Sequence, residues 1–195
     1  MKIEELELDK DLQQLWQQLV KLHYKLREYT SAKYKRVNPF MENLFEWKEK
    51  GEFFGGKNVT IYDSTTVVGD VKIGDHTWIG PFCSLDGTAG LVIGRYCSVS
   101  LGCQLLTHDT VKWAVSGGEA DHEYAPTKIG DCCFLGSYAV ITKGITIGDH
   151  CIIGAGAVVT KDVANFSIVG GVPAHRLGTV NIKGTGEITL QYEKK

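Results

Sequence analysis

Residues 129–159 read IGDCCFLGSYAVITKGITIGDHCIIGAGAVV. An aliphatic side chain returns at every sixth residue, at Ile129, Leu135, Ile141, Ile147, Ile153 and Val159. Glycine follows it at Gly130, Gly136, Gly148 and Gly154, and a small side chain stands four residues after it at Ala139 and Ala157. A period of six fits neither the 3.6-residue repeat of an amphipathic helix nor the two-residue alternation of a half-buried strand. It is the mark of a hexapeptide β-solenoid. Each hexapeptide supplies a short strand and a turn, three make a triangular coil, and coils stack at the strand spacing of about 4.8 Å.

The same beat extends back to Ile61, Val67, Ile73, Ile79 and Leu85, slips by two residues, and resumes at Ile93, Val99 and Leu105. The slip, across Asp86-Gly87-Thr88-Ala89-Gly90, predicts a small outward bulge. The second break is longer. From Leu105 to Ile129 is 24 residues where an unbroken beat takes 6. The segment 109–128 therefore leaves the coil as an excursion, carrying Trp113, a Gly117-Gly118 hinge, Glu119, Asp121, His122 and Tyr124. Polar loops with aromatic residues on a rigid scaffold are where binding residues concentrate. His108 stands at its root.

Before the solenoid, residues 4–30 read as an amphipathic helix. Leu8, Leu12, Leu15, Trp16, Leu19, Leu22, His23, Leu26 and Tyr29 form one stripe, for which core packing is the expected use. A second helix is expected from about Met41 to Lys50, ending near Gly51. After the repeats, Ile188, Leu190 and Tyr192 alternate in a way that suits an extra strand or hairpin. The organisation is thus an N-terminal helical segment over 1–56, a β-helix over 57–177 and a tail over 178–195.

Net charge of -2 and a pI of about 6.3 offer no general attraction to nucleic acid or anionic membrane. No apolar run approaches the roughly 20 residues of a membrane span. Met1-Lys2-Ile3-Glu4-Glu5 is too acidic for a secretory signal, so a cytoplasmic location is expected. Of six cysteines, Cys83, Cys97, Cys103, Cys133 and Cys151 occupy the slot four after a beat residue, where a cysteine serves as a small buried hydrophobe. Cys132 is out of register, and the Cys132-Cys133 pair lacks zinc-ligand spacing. No metal is called for, and free thiols suit a reducing compartment.

The repeats, the loop after Thr107-His108-Asp109, the run from Ile153 to Val163 and the segment Val169-Gly170-Gly171-Val172-Pro173-Ala174 together resemble the hexapeptide-repeat acyltransferases. Within them the chain is most similar to the sugar and xenobiotic O-acetyltransferase branch, alongside galactoside, maltose and virginiamycin acetyltransferases. The resemblance covers about residues 59–177. It implies a left-handed parallel β-helix, an exception to the usual right-handed crossover. It also implies a homotrimer with acetyl-CoA in grooves between subunits and acetyl transfer to a sugar or sugar-containing acceptor.

Residue by residue, the resemblance makes His108 the catalytic base. Such a base must take a proton from the acceptor hydroxyl as it attacks the thioester carbonyl, which an imidazole does well near neutral pH. Gly136 and Ser137 match the stretch at the thioester end, where oxyanion donors are needed. Ala155 matches a position against the pantetheine arm, Thr160 and Lys161 match residues near the nucleotide, and Pro173, His175 and Arg176 match a phosphate-contacting segment. Asp86 lies near the place where sugar-acetylating relatives put an acceptor-binding acid, and Trp113 in the loop is a further acceptor candidate. Three departures stand out. Phe134 replaces a common tryptophan, His175 with Arg176 replaces a single basic residue, and Ala164-Asn165 replaces a proline-containing turn.

Other readings fit the same residues. A nucleotide-amino-sugar N-acetyltransferase would use the same base, and a non-catalytic solenoid scaffold would need neither His108 nor a CoA groove. A zinc-dependent carbonic anhydrase of the same solenoid type would need clustered histidines. His76 and His150, three coils apart, would lie about 14 Å from each other at strand spacing.

Overall fold

A computed structural model describes residues 8–44, 47–184 and 186–193. Two compact units divide the chain between Glu46 and Trp47.

In the first unit, helix α1 spans Lys10–Tyr34. Asp9 caps it by accepting from the Leu12 N–H (2.9 Å), which satisfies one of the orphan donors of the first turn. Lys35 closes it in the left-handed region (φ 55°), its N–H donating to the Ser31 carbonyl. The helix therefore starts later than the sequence suggests and ends later. Residues 4–7 of the expected helix lie outside the described residues. A return segment with a 3-10 turn at Met41–Asn43 follows. Phe40 meets the His23 ring edge-on at 5.2 Å, and the Thr30 hydroxyl donates to Asn43 Oδ1 (3.1 Å). The apolar stripe does not become core. No residue of α1 is buried, and Leu12, Leu15, Leu19 and Leu22 are 39–60% exposed.

The second unit opens with helix α2, Trp47–Glu52. The single helix expected over 41–50 is instead a 3-10 turn followed by this helix, which runs through Gly51. A Cβ at Gly51 would lie 2.0 Å from the Val59 carbonyl oxygen, so only glycine lets the helix pack there on the strand that follows. Lys50 Nζ donates to the carbonyls of Asp63 (2.9 Å) and Thr65 (2.6 Å) and pins α2 to the first coil.

The strands are β1 Thr60–Ile61, β2 Thr66–Ile73, β3 Trp78–Ile79, β4 Ser84–Ile93, β5 Ser98–Val99 and β6 Gln104–Leu105. Then come β7 His108–Asp109, the short helix α3 Val111–Val115, β8 Glu123–Tyr124 and β9 Thr127–Ile129. The coil continues with β10 Phe134–Leu135, β11 Val140–Ile141, β12 Thr146–Ile147, β13 Ile152–Ile153 and β14 Val158–Val159. It finishes with β15 Ser167–Gly170, β16 His175–Lys183 and β17 Glu187–Tyr192.

Parallel pairing stacks the beat residues into three columns. Ile61, Ile79, Val99, Leu135, Ile153 and Val169 form the first. Val67, Leu85, Leu105, Ile141 and Val159 form the second. Ile73, Ile93, Ile129, Ile147 and Val163 form the third. The three columns converge on a single apolar core, and most of these side chains are 0–1% exposed. Each fully buried Leu or Ile contributes about 1.5–3 kcal/mol relative to exposure. The chain is a parallel β-solenoid whose period is the one written in the sequence.

All six cysteines are free, and the five in register are buried. Their thiols point at carbonyls of the neighbouring coil, as Cys133 Sγ does at Gly148 O (3.0 Å). The tail forms an antiparallel hairpin of β16 and β17 with Ile182 opposite Ile188 and Val180 opposite Leu190. No described helix is long and apolar enough to cross a membrane.

Candidate active site

The two breaks in the beat meet in space. Both leave the second column and return to the third, in adjacent coils, because β4 and β6 are paired neighbours with Leu85 beside Leu105. Asp86 follows Leu85 and His108 lies three residues after Leu105, so the stacking brings them together. His108 Nδ1 stands 2.6 Å from Asp86 Oδ2.

Asp86 is 7% exposed, and both of its oxygens are occupied. Oδ1 accepts from the Thr88 N–H (2.9 Å) and hydroxyl (2.5 Å), and Oδ2 accepts from the Thr107 N–H (2.8 Å) as well as facing His108. Burial works against its charge. The Thr88 hydroxyl, the Thr107 and Thr88 N–H groups and His108 outweigh burial and hold the carboxyl well below the usual carboxylate range. An ionised Asp86 only accepts, so His108 Nδ1 carries a proton, and in the neutral ring Nε2 is then the nitrogen with the lone pair. The bulge expected to push outward instead turns this carboxylate in. Gly87 permits this, since a Cβ there would sit 2.4 Å from the Asp70 carbonyl oxygen of the adjacent coil. In the single chain the Asp86 oxygens are taken up by Thr88, Thr107 and His108.

The excursion is tied at its neck. β7 and β8 pair antiparallel, with His108 opposite Tyr124 and Asp109 opposite Glu123. The Tyr124 ring stacks on His108 at 5.9 Å and 22°. Beneath the neck, Lys143 Nζ lies 2.9 Å from Asp109 Oδ2 and 3.7 Å from Glu123 Oε2, and Lys112 Nζ lies 2.9 Å from Glu123 Oε1. Hydrogen bonding to Lys143 lowers the Asp109 carboxyl, hydrogen bonding to Lys112 lowers that of Glu123, and hydrogen bonding to Asp109 raises the Lys143 ammonium. The coil resumes at Thr127, whose hydroxyl donates to the Leu106 carbonyl (2.7 Å). The outer loop borders an open depression of about 420 Å³ lined by Trp113, Gly118, Glu119, Ala120, Asp121, His122 and Tyr124. Tyr124 thus borders both the depression and His108. Trp113 meets His122 edge-on at 5.6 Å.

The remaining sequence-derived candidates fall at two corners. Thr160 and Lys161 follow Val159 in the second column, two coils along from Leu105, and are exposed. At about 4.8 Å per coil their backbone lies roughly 10 Å along the axis from Thr107. Gly136, Ser137 and Ala155 follow Leu135 and Ile153 of the first column, at the other end of the same face. Ser137 is half-buried with its carbonyl accepting from the Gly156 N–H (2.8 Å), and Ala155 is exposed. Gly136 is a close-approach position, where a Cβ would lie 2.5 Å from the Ala155 nitrogen. Pro173, His175 and Arg176 are exposed at the far end of the solenoid, Arg176 Nε pairing with Glu193 Oε1 at 3.2 Å. One chain therefore brings His108, Asp86 and Tyr124 together, but sets Gly136, Ser137 and Ala155 at a different corner. Residues missed from sequence are Thr88, Thr107, Tyr124 and Lys143 as supports of His108. Aligning the two breaks coil on coil is the signal that finds them.

The histidines of the carbonic anhydrase reading are apart and otherwise engaged. His76 stacks on Tyr96 (4.8 Å) and faces Asn58, and His150 stacks on Phe166 (4.9 Å). Among the described residues no group of three or more His, Cys, Asp or Glu is placed to hold a metal ion.

Residues 126–161 match the family model described as bacterial transferase hexapeptide (six repeats). The chain is similar to the structure of a hexapeptide-repeat acetyltransferase from Vibrio cholerae O1 biovar eltor complexed with acetyl coenzyme A. Identity is 22% over 88% of this chain and 90% of that one, with a TM-score of 0.58. A maltose O-acetyltransferase from Clostridium difficile 630 matches at 23% identity, over 83% and 87% of the two chains, with a TM-score of 0.57. An N-acyltransferase from Bacillus cereus, in complex with dTDP and 3-hydroxybutyryl-CoA, matches at 16% identity over 69% and 88%, with a TM-score of 0.58. The chain carries the bacterial-transferase hexapeptide repeat and has the solenoid fold that these acyltransferases share.

Proposed function

We propose that the protein is an acetyl-CoA-dependent acetyltransferase that acetylates a hydroxyl of a sugar or sugar-containing acceptor, with His108 as general base. The observation that carries this reading is the His108–Asp86 contact of 2.6 Å at the root of the excursion. Asp86 is a positioning residue. It fixes the imidazole ring and leaves Nε2 as the free acceptor, the arrangement a general base requires.

In the proposed step the acceptor oxygen attacks the thioester carbonyl while its proton moves to Nε2. The tetrahedral intermediate collapses, the C–S bond breaks, and the proton passes from Nε2 to the departing CoA thiolate. Amide or hydroxyl donors near Gly136 and Ser137 are suited to the oxyanion, with Ala155, Thr160, Lys161, Pro173, His175 and Arg176 along the coenzyme. Because those groups and His108 lie at different corners, the reading requires a neighbouring subunit to bring one corner against another. A homotrimer does this.

The loop depression supports a sugar hydroxyl over a nucleotide sugar. Its lining combines Trp113 and Tyr124, flat faces suited to a pyranose ring, with the carboxylates of Glu119 and Asp121, suited to hydroxyl donors. No lysine or arginine is among these lining residues, and the Glu119 and Asp121 carboxylates disfavour a pyrophosphate there. The test is free-thiol release from acetyl-CoA across neutral sugars, nucleotide amino sugars and alcohols. A neutral sugar is expected to be the preferred acceptor, and His108→Ala is expected to lower its turnover by about 10²–10⁴-fold. Unchanged turnover in that variant overturns the mechanism, and a preference for nucleotide amino sugars overturns the acceptor.

A further inference from the structure

The spacing of the α1 stripe is stricter than an ordinary amphipathic helix needs. Leu12, Leu15, Leu19, Leu22, Leu26 and Tyr29 follow one another at intervals of three, four, three, four and three residues. This is the 3.5-residue period of a coiled-coil seam, with Leu12, Leu19 and Leu26 at a positions and Leu15, Leu22 and Tyr29 at d positions. A helix that packs on a globular core drifts away from that period, whereas one that packs along a second helix keeps it. Leu12 is 48% exposed, Leu15 60%, Leu19 39%, Leu22 44% and Tyr29 56%. Among the described residues the other α-helices have six and five residues, and neither matches its length.

The two edges of the seam differ. One edge, the e positions, holds Trp16, His23 and Thr30, and the return segment packs against it through Phe40 and Asn43. The other edge, the g positions, holds Asp11, Gln18 and Lys25, and remains open. An antiparallel pair sets like edge against like edge. Asp11 then faces the partner's Lys25, Lys25 faces the partner's Asp11, and Gln18 meets its own counterpart near the two-fold axis. A parallel pair would set the open edge of one helix against the covered edge of the other and would form neither charge pair. The helix is thus complementary to itself in one orientation, the condition for an isologous interface.

We propose that α1 is a self-association element, pairing antiparallel through its leucine seam with α1 of a second copy of this chain. The proposal is independent of the acetyltransferase reading. Two measurements on the full-length protein test it. Gln18→Cys places a thiol beside its counterpart, and mild oxidation is expected to give an interchain disulfide at that position. Gln17→Cys, on the outer face of the helix, is expected to give none. In sedimentation equilibrium the wild type is expected to have twice the mass of Leu15→Asp/Leu22→Asp, with the thermal transition of the solenoid unchanged. Equal masses, or no cross-linking at Gln18→Cys beyond that at Gln17→Cys, overturns the proposal. Cross-linking at Leu19→Cys without any at Gln18→Cys shows a parallel seam and overturns it too. Gln18 is exposed and the cysteine is smaller, so the first measurement stands even if the double variant loses its helix.

Discussion

Replacing Asp86 with asparagine keeps the side-chain shape and removes one acceptor. The wild-type carboxylate receives donors on both oxygens: the Thr88 N–H and hydroxyl on Oδ1, the Thr107 N–H and His108 on Oδ2. Whichever way the amide turns, its NH2 faces a backbone N–H, that of Thr88 or that of Thr107. A buried donor without a partner costs about 1–3 kcal/mol. For a chain of this size that is a fall in melting temperature on the order of 2–10 °C. The orientation that spares Thr88 also puts the NH2 against His108 Nδ1. That forces the proton onto Nε2 and removes the base, so kcat is expected to fall by about 10²–10⁴-fold. Acetyl-CoA KM is expected to stay within a few-fold, because Asp86 does not touch the coenzyme in this scheme. Thiol-release kinetics at saturating substrates and a thermal melt measure both. The stability difference has a pH signature. The folded Asp86 carboxyl is held below its ordinary value, so its contribution is complete above about pH 4 and is lost as pH falls towards the lowered value. Protonation of Asp86 itself should therefore narrow the gap between wild type and Asp86→Asn only in acid below about pH 4. Full activity together with a lowered melting temperature would refute the positioning role and leave Asp86 purely structural.

Two further perturbations probe the neck of the loop and the core. Lys143→Met removes the cation between Asp109 and Glu123 and should speed proteolytic cleavage within 116–121 by about two- to five-fold at low salt. With both carboxylates lowered and the lysine raised, that difference should start to shrink only as pH falls below about 4, towards the lowered carboxyl values, and shrink in high salt, and equal cleavage at pH 7 would show that the ladder alone holds the loop. Leu105→Ala opens a cavity in a fully buried column between Leu85 and Ile141 and should cost about 2–5 kcal/mol, read as a lower urea midpoint at unchanged slope. A loss below about 1 kcal/mol would mean that the column is not continuously packed there.

The solenoid was legible because one physical constraint repeats. Every sixth residue must fill the same interior, so the beat from Ile61 to Val159 is readable in the sequence. The same rule accounted for the cysteines in register and for the length of the excursion. What was not legible depended on contacts between residues far apart in the chain. The contacts of Asp86 are not legible in its bulge because its partners, Thr107 and His108, lie 21 and 22 positions away. The interval 41–50 read as one helix because the polar pattern is continuous, while the packing of Gly51 on Val59 sets where helix is allowed. The α1 stripe read as core because an apolar face says only that something covers it, not what. Within the loop, α3 and the β7–β8 ladder are too short to leave a period.

The two irregularities also explain each other. A perfect solenoid has corners that are all alike, and its inward slots hold only small or aliphatic side chains. Its regular turns offer no buried place for a carboxylate. Lengthening the turn after Leu85 by two residues creates that place, since Thr88 can then fold back to supply two donors and the next coil supplies Thr107. Had the long excursion left from any other corner, or from a coil not adjacent to β4, its root histidine would have met an ordinary turn. Because both breaks occur between the second and third columns and in neighbouring coils, the buried acid lies directly beside the histidine from which the loop departs. The scaffold holds the acid in place, and the ladder holds Asp109, Glu123 and Tyr124 at the neck. Under the proposed function, changes confined to the outer loop, 111–122, would alter the acceptor and leave the Asp86–His108 pair in place.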